Sequence, residues 1–120
     1  MRHNLVVTCR QASADFLRQR WLGEEWYVTD DPVKAIDALQ REPFDRLFLD
    51  HYLNREPKNG RDVSIWLGQH TEVNPRIEVF AMAEFEPNLP NHQQKAAEMA
   101  AESRRTTHQI PFSVIRALGE

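Results

Sequence analysis

Short apolar, β-branched runs alternate along the chain with segments whose apolar residues recur at helical spacing. Leu5-Val6-Val7-Thr8 has the composition of a strand buried on both faces. From Ser13, a residue suited to an N-cap, Phe16, Leu17 and Trp21 follow near helical spacing and Gly23 stands where helices stop, which predicts a helix over 13–22. Glu25-Trp26-Tyr27-Val28-Thr29 reads as a second strand. Asp31 then caps a helix opened by Pro32, with Ala35, Ile36 and Leu39 on one stripe, and Pro43 forces that helix to end before it.

The same alternation continues through the second half. Arg46-Leu47-Phe48-Leu49-Asp50 predicts a third strand, and the turn-forming residues from Asn54 to Gly60 predict a loop. Val63, Trp66, Leu67 and His70 occupy one face of a third helix that Asn74-Pro75 terminates. Ile77 to Ala81 reads as strand four, Phe85 to Asn91 as an extended loop, and His92 to Arg105 as a helix of good helix formers. That helix has no wide apolar stripe and is expected on the surface. Thr106 to Ile110 supplies strand five, and Pro111 to Gly119 a short last helix with Phe112, Ile115 and Leu118 inward. Five strand–helix pairs in alternation imply a parallel sheet covered on both faces, because parallel strands need right-handed helical crossovers. The expected architecture is α/β: a flavodoxin-like (βα)5 three-layer sandwich with sheet order 2-1-3-4-5.

Composition narrows the functional classes. The 120 residues are expected to form one domain, 1–120, with 41% hydrophobic and 28% charged residues, too apolar for a disordered chain. A formal charge of -3 gives no general attraction to nucleic acid. Cys9 is the only cysteine, so neither an intramolecular disulfide nor a cysteine-based zinc site can form, which fits a reducing compartment. The apolar run after Met1 is too short for a signal peptide or a membrane helix of about 20 residues, so a cytoplasmic location is expected. The five histidines, at 3, 51, 70, 92 and 108, show no metal-ligand spacing, and the four glycines are too scattered for a phosphate-binding loop.

Sheets of this kind gather ligands beyond the carboxyl ends of their strands, near the switch point between strands one and three, where Asp50 falls. The segment Phe44 to Leu53, followed by Gly60 and Val63, resembles the third strand and loop of response-regulator receiver domains. Leu49-Asp50-His51-Tyr52-Leu53 with Asn59-Gly60-Arg61-Asp62-Val63 and Trp66-Leu67 is most similar to their cyclic-phosphate-processing branch, with Tyr52 in place of that motif's second aspartate. Ile110-Pro111-Phe112-Ser113 resembles the Lys-Pro-Phe after the receiver's fifth strand, with Ile110 in place of lysine.

The resemblance implies that Asp50 occupies the phosphoacceptor position, yet three associated features differ. Receivers carry an acidic pair after strand one that holds magnesium, whereas this chain has Thr8-Cys9-Arg10. At the end of strand four, Ala81-Met82-Ala83 lacks the receiver's hydroxyl residue, and Ile110 replaces the phosphate-binding lysine. Asp50 therefore has two readings: a phosphoacceptor or metal ligand, or a structural carboxylate bonded to loop amides or to Arg10. Arg10, His51, Tyr52, Met82, Ala83 and Ile110 are its expected neighbours. His51 could act as a general acid or base but, isolated from a second histidine, reads as a loop residue. Asp30, Asp31, Glu84 and Glu86 are expected on the same carboxyl edge as Asp50, which would allow an unconventional cation site. Cys9 lies close by and reads as an unactivated thiol.

These features predict a non-catalytic pseudo-receiver that takes no cofactor and acts by protein–protein contact. The alternatives are a divergent phospho-accepting receiver or cyclic-phosphate-processing enzyme using Asp50 and His51 with magnesium, and a small inhibitor that captures a host enzyme. Receivers commonly associate through helix four, strand five and helix five. Ala96, Met99 and Ala100 on helix four are the expected contact residues, for a homodimer or another protein, since small residues and methionine suit close, adaptable packing. Trp21 and Trp66 are expected in the core, and Trp26 on the edge strand is a further interface candidate.

Overall fold

The computed structural model describes residues 2–21, 23–55, 57–83 and 92–111. In chain order they form β1 (His3–Val7), α1 (Gln11–Arg20), β2 (Glu25–Thr29), α2 (Pro32–Arg41), β3 (Arg46–Asp50), α3 (Gly60–Gln69), β4 (Glu78–Ala83), α4 (His92–Ser103) and β5 (Thr106–Pro111). All five strands are parallel, in the order β2-β1-β3-β4-β5. Register pairs Leu5 with Tyr27 and Leu47, and Val6 with Val28 and Phe48, so alternate residues of each strand enter opposite faces. The expected loop over 85–91 and the last helix with Phe112, Ile115 and Leu118 lie outside the described residues.

Two helix starts differ from the periodicity. α1 begins at Gln11 after Arg10, which gives no side-chain cap, and Ser13 is buried within the first turn. α3 begins three residues before its first apolar position because Asn59 and Asp62 form a reciprocal capping box: Asn59 Oδ1 accepts from Arg61 N–H at 2.8 Å and Asp62 Oδ2 accepts from Asn59 N–H at 2.8 Å. Asp31 caps α2 as expected, its carboxylate accepting from Val33 N–H at 2.9 Å with Pro32 at the first helical position.

One face of the sheet, lined by Leu5, Val7, Leu47, Leu49, Val79 and Ala81, packs against α2, α3 and α4 through Ala35, Leu39, Val63, Leu67 and Met99. The other, lined by Val6, Phe48 and Met82, packs against Leu17 of α1 with Trp21, Trp26 and Phe80 around it. Trp21 and Trp66 are half-buried against these clusters. Both layers follow from strands buried on each side.

Helix α4 corrects the expectation of a surface helix presenting Ala96, Met99 and Ala100 to a partner. These residues are 1%, 0% and 6% exposed and belong to the larger core. A narrow stripe of small residues suffices because the helices approach closely: a Cβ added at Gly68 of α3 would lie 2.0 Å from the Glu102 carbonyl oxygen. Trp26 is half-buried on the edge strand, its ring packing on Phe48 and Trp21 at centroid distances of 5.8 and 6.3 Å. The exposed aromatic of β2 is Tyr27.

Polar side chains secure the ends of the α2 and α3 layer. Asn74, in left-handed conformation at φ 43°, donates to the Leu39 and Glu42 carbonyls and accepts from Phe44 N–H. Arg105 donates to the carbonyls of His70, Val73, Asn74 and Ser103. Burial lowers the Arg105 guanidinium from its ordinary value and Glu72 opposes that shift; the five-donor fork matches the several carbonyls left over at a helix end. No helix among the described residues is long and apolar enough to cross a membrane.

Candidate functional site

Asp50 is the last residue of β3, at the carboxyl end of the central strand, and is 3% exposed. Its position follows from local sequence: Leu47, Phe48 and Leu49 bury the strand on both faces and carry the aspartate to the end. A carboxylate buried this far requires polar partners. Thr8, directly after β1, donates its hydroxyl to Asp50 Oδ2. The Thr8 hydroxyl in turn accepts from Arg10 N–H at 3.1 Å, and Thr8 N–H is held by the Thr29 carbonyl at 3.0 Å. The β1–α1 turn thus aims a neutral donor at the aspartate. Thr8 was not among the neighbours expected for Asp50.

The loop after Asp50 is held as tightly. Gly60 N–H donates to the His51 carbonyl at 2.8 Å, and a Cβ on Gly60 would stand 1.9 Å from the Asp50 carbonyl oxygen, so only glycine fits here. Leu53 is fully buried, Cys9 donates its thiol to the Tyr52 carbonyl at 3.6 Å, and Tyr52 donates its hydroxyl to Asn54 Oδ1 at 2.9 Å. The Leu-Asp-His-Tyr-Leu motif therefore serves as a packed loop: two leucines inward, the aspartate at the strand end, Tyr52 half-buried.

Of the remaining expected neighbours, Met82 pairs with Asp50 in the β3–β4 register and is 1% exposed. Ile110 pairs with Met82 in the β4–β5 register, so the backbone sets Asp50, Met82 and Ile110 in one row with Ala83 one position beyond. Arg10 is half-buried at the same edge and lines, with Thr8, Cys9, Gln11, Thr29 and Lys34, a recess of about 380 Å3 between the ends of β1 and β2. His51 is also half-buried. The acidic residues expected on this edge are otherwise engaged: Arg55 pairs with Asp30 at 2.9 Å and with Asp31 at 3.8 Å. Glu84 and Glu86 lie outside the described residues. Among the described residues, no three of His, Cys, Asp and Glu converge in a group that could hold a metal ion.

This architecture is similar to solved receiver domains. The response regulator receiver domain protein (CheY-like) from Methanospirillum hungatei JF-1 aligns with 98% of this chain and 87% of its own, at TM-score 0.68 and 15% identity. The Mn(2+)-bound form of response regulator Rcp1 aligns with 99% and 90%, at 0.66 and 14%. The signal receiver domain of an HD domain-containing protein from Pseudomonas fluorescens Pf-5 gives 98% and 83%, at 0.63 and 15%. The chain has the receiver fold. No family model and no curated protein matches its sequence.

Proposed function

We propose that this chain is a pseudo-receiver: a regulatory module of receiver fold that works through contact with another protein and does not accept a phosphoryl group. The observation that carries the reading is the Thr8 hydroxyl donating to the buried Asp50 carboxylate from the end of β1, the place of the receiver's acidic pair. Phosphoryl transfer to an aspartate needs cationic charge to offset the negative charge that develops, usually a hard divalent ion held by oxygen ligands. Thr8-Cys9-Arg10 stands in the place of the receiver's acidic pair and brings no carboxylate to hold such an ion, and the Thr8 hydroxyl adds a hydrogen bond to Asp50. It stabilises Asp50 as a structural acceptor, which favours a fixed loop over an exposed nucleophile.

The reading is tested by incubation with acetyl phosphate and magnesium, followed by intact-mass measurement and capture of binding proteins from the native cell. The wild type is expected to gain no phosphoryl adduct, and wild type and Asp50→Asn to capture the same proteins. An acid-stable, hydroxylamine-labile adduct absent from Asp50→Asn would overturn it in favour of a divergent phospho-accepting receiver.

A further inference from the structure

At the edge of the sheet opposite Asp50, His3 fastens three segments together. Its backbone N–H donates to the Asp45 carboxylate at 2.8 Å, and its carbonyl accepts from Asp45 N–H at 2.7 Å. The imidazole stacks on Phe44 with centroids 5.4 Å apart. Nε2 meets the Glu25 carboxylate of β2, and Nδ1 lies 3.2 Å from the Pro43 carbonyl oxygen. The recess of about 270 Å3 around the ring is lined by His3, Glu25, Pro43 and Asp45. Its charged groups besides the ring are therefore two carboxylates, Glu25 from β2 and Asp45 from the turn before β3; Arg2 precedes His3 on its own segment.

A carboxylate and a peptide carbonyl both accept hydrogen bonds and donate none, and only the imidazolium has N–H on both nitrogens. The neutral ring, in either tautomer, serves one acceptor and turns a lone pair toward the other. We propose that His3 is a proton-dependent clamp: the doubly protonated ring ties the start of β1 to β2 and to the turn before β3, and loss of one proton releases one tie. Protonation closes the clamp and loss of a proton loosens it, so the clamp tightens as pH falls. The strand it grips, β2, is at the sheet edge, where a loosened end exposes backbone groups able to pair elsewhere.

Site-resolved amide hydrogen exchange on the full chain tests the clamp at Glu25 and Asp45, whose N–H groups bond to the carbonyls of Arg2 and His3. After correction for intrinsic exchange, protection at both is expected to fall about two- to five-fold from about pH 5 to about pH 8, the scale of a solvent-exposed ion pair. His3→Gln, whose amide does not titrate, should abolish that fall, while His108→Gln, which removes the pair between β5 and Glu78 of β4, should leave it intact. Equal pH dependence in wild type and His3→Gln, or its loss in His108→Gln, overturns the proposal. Two measurements stand if His3→Gln does not fold. Nitrogen shifts of the wild-type His3 ring at about pH 5 should show both nitrogens protonated, and Glu25→Gln should weaken the pH dependence; a neutral-tautomer pattern or an unchanged dependence contradicts the clamp.

Discussion

Gly60 and Thr8, neither of them charged, both shape the surroundings of Asp50. Gly60 lets the backbone of α3 pass against the Asp50 carbonyl, and Thr8 places a hydroxyl on the buried carboxylate from 42 residues away in sequence. Gly60→Ala must displace one of two backbones and is expected to cost about 2 kcal/mol or more, measured by urea denaturation. Thr8→Val keeps the shape but leaves a buried carboxylate short of a donor, and should cost about 1.5–3 kcal/mol. If Thr8→Ser is nearly as stable as wild type while Thr8→Val is not, the hydroxyl rather than the methyl is responsible. Equal losses would assign the effect to packing. Gly60 was visible in the sequence as part of a motif and Thr8 as one residue of the stretch that replaces the acidic pair, but the Thr8 bond to Asp50 was not, since a threonine at a strand end has no signature and its partner lies far along the chain.

Helices α2 and α4 mark the limits of reading elements from pattern. Both ends of α2 were readable because Asp31-Pro32 and Pro43 act through local backbone chemistry that tertiary contacts do not override. For α4, the buried side is built from alanines and one methionine, which a hydrophobicity pattern records as weak, and the close crossing at Gly68 is a property of two helices together. Met99→Ala is expected to destabilise the fold by about 2–5 kcal/mol through the cavity it leaves. Glutamate at Met99 and Ala100 should therefore prevent folding instead of blocking a contact, and circular dichroism distinguishes the two outcomes. At α3, Asn59→Ala removes the capping bond to Arg61 N–H and should cost about 1 kcal/mol, with little change if the box contributes nothing.

For the whole molecule, strand order and two-sided burial were readable because five apolar runs separated by helical segments leave few parallel topologies. The composition of the site was readable only as departures from a known pattern: Thr8-Cys9-Arg10 after β1, no hydroxyl in Ala81-Met82-Ala83 and Ile110 in the row of Met82 and Asp50. How the site resolves those departures depends on side-chain geometry that spacing does not encode. The most direct test is titration of the isotope-labelled protein with beryllofluoride in the presence of magnesium, followed through the amide resonances of Thr8, Asp50, His51 and Met82. A pseudo-receiver is expected to show no saturable shift, and the same spectrum for wild type and Asp50→Asn apart from the substituted residue. Saturable shifts centred on Asp50, absent from Asp50→Asn, would contradict the account and make the chain a phospho-accepting receiver.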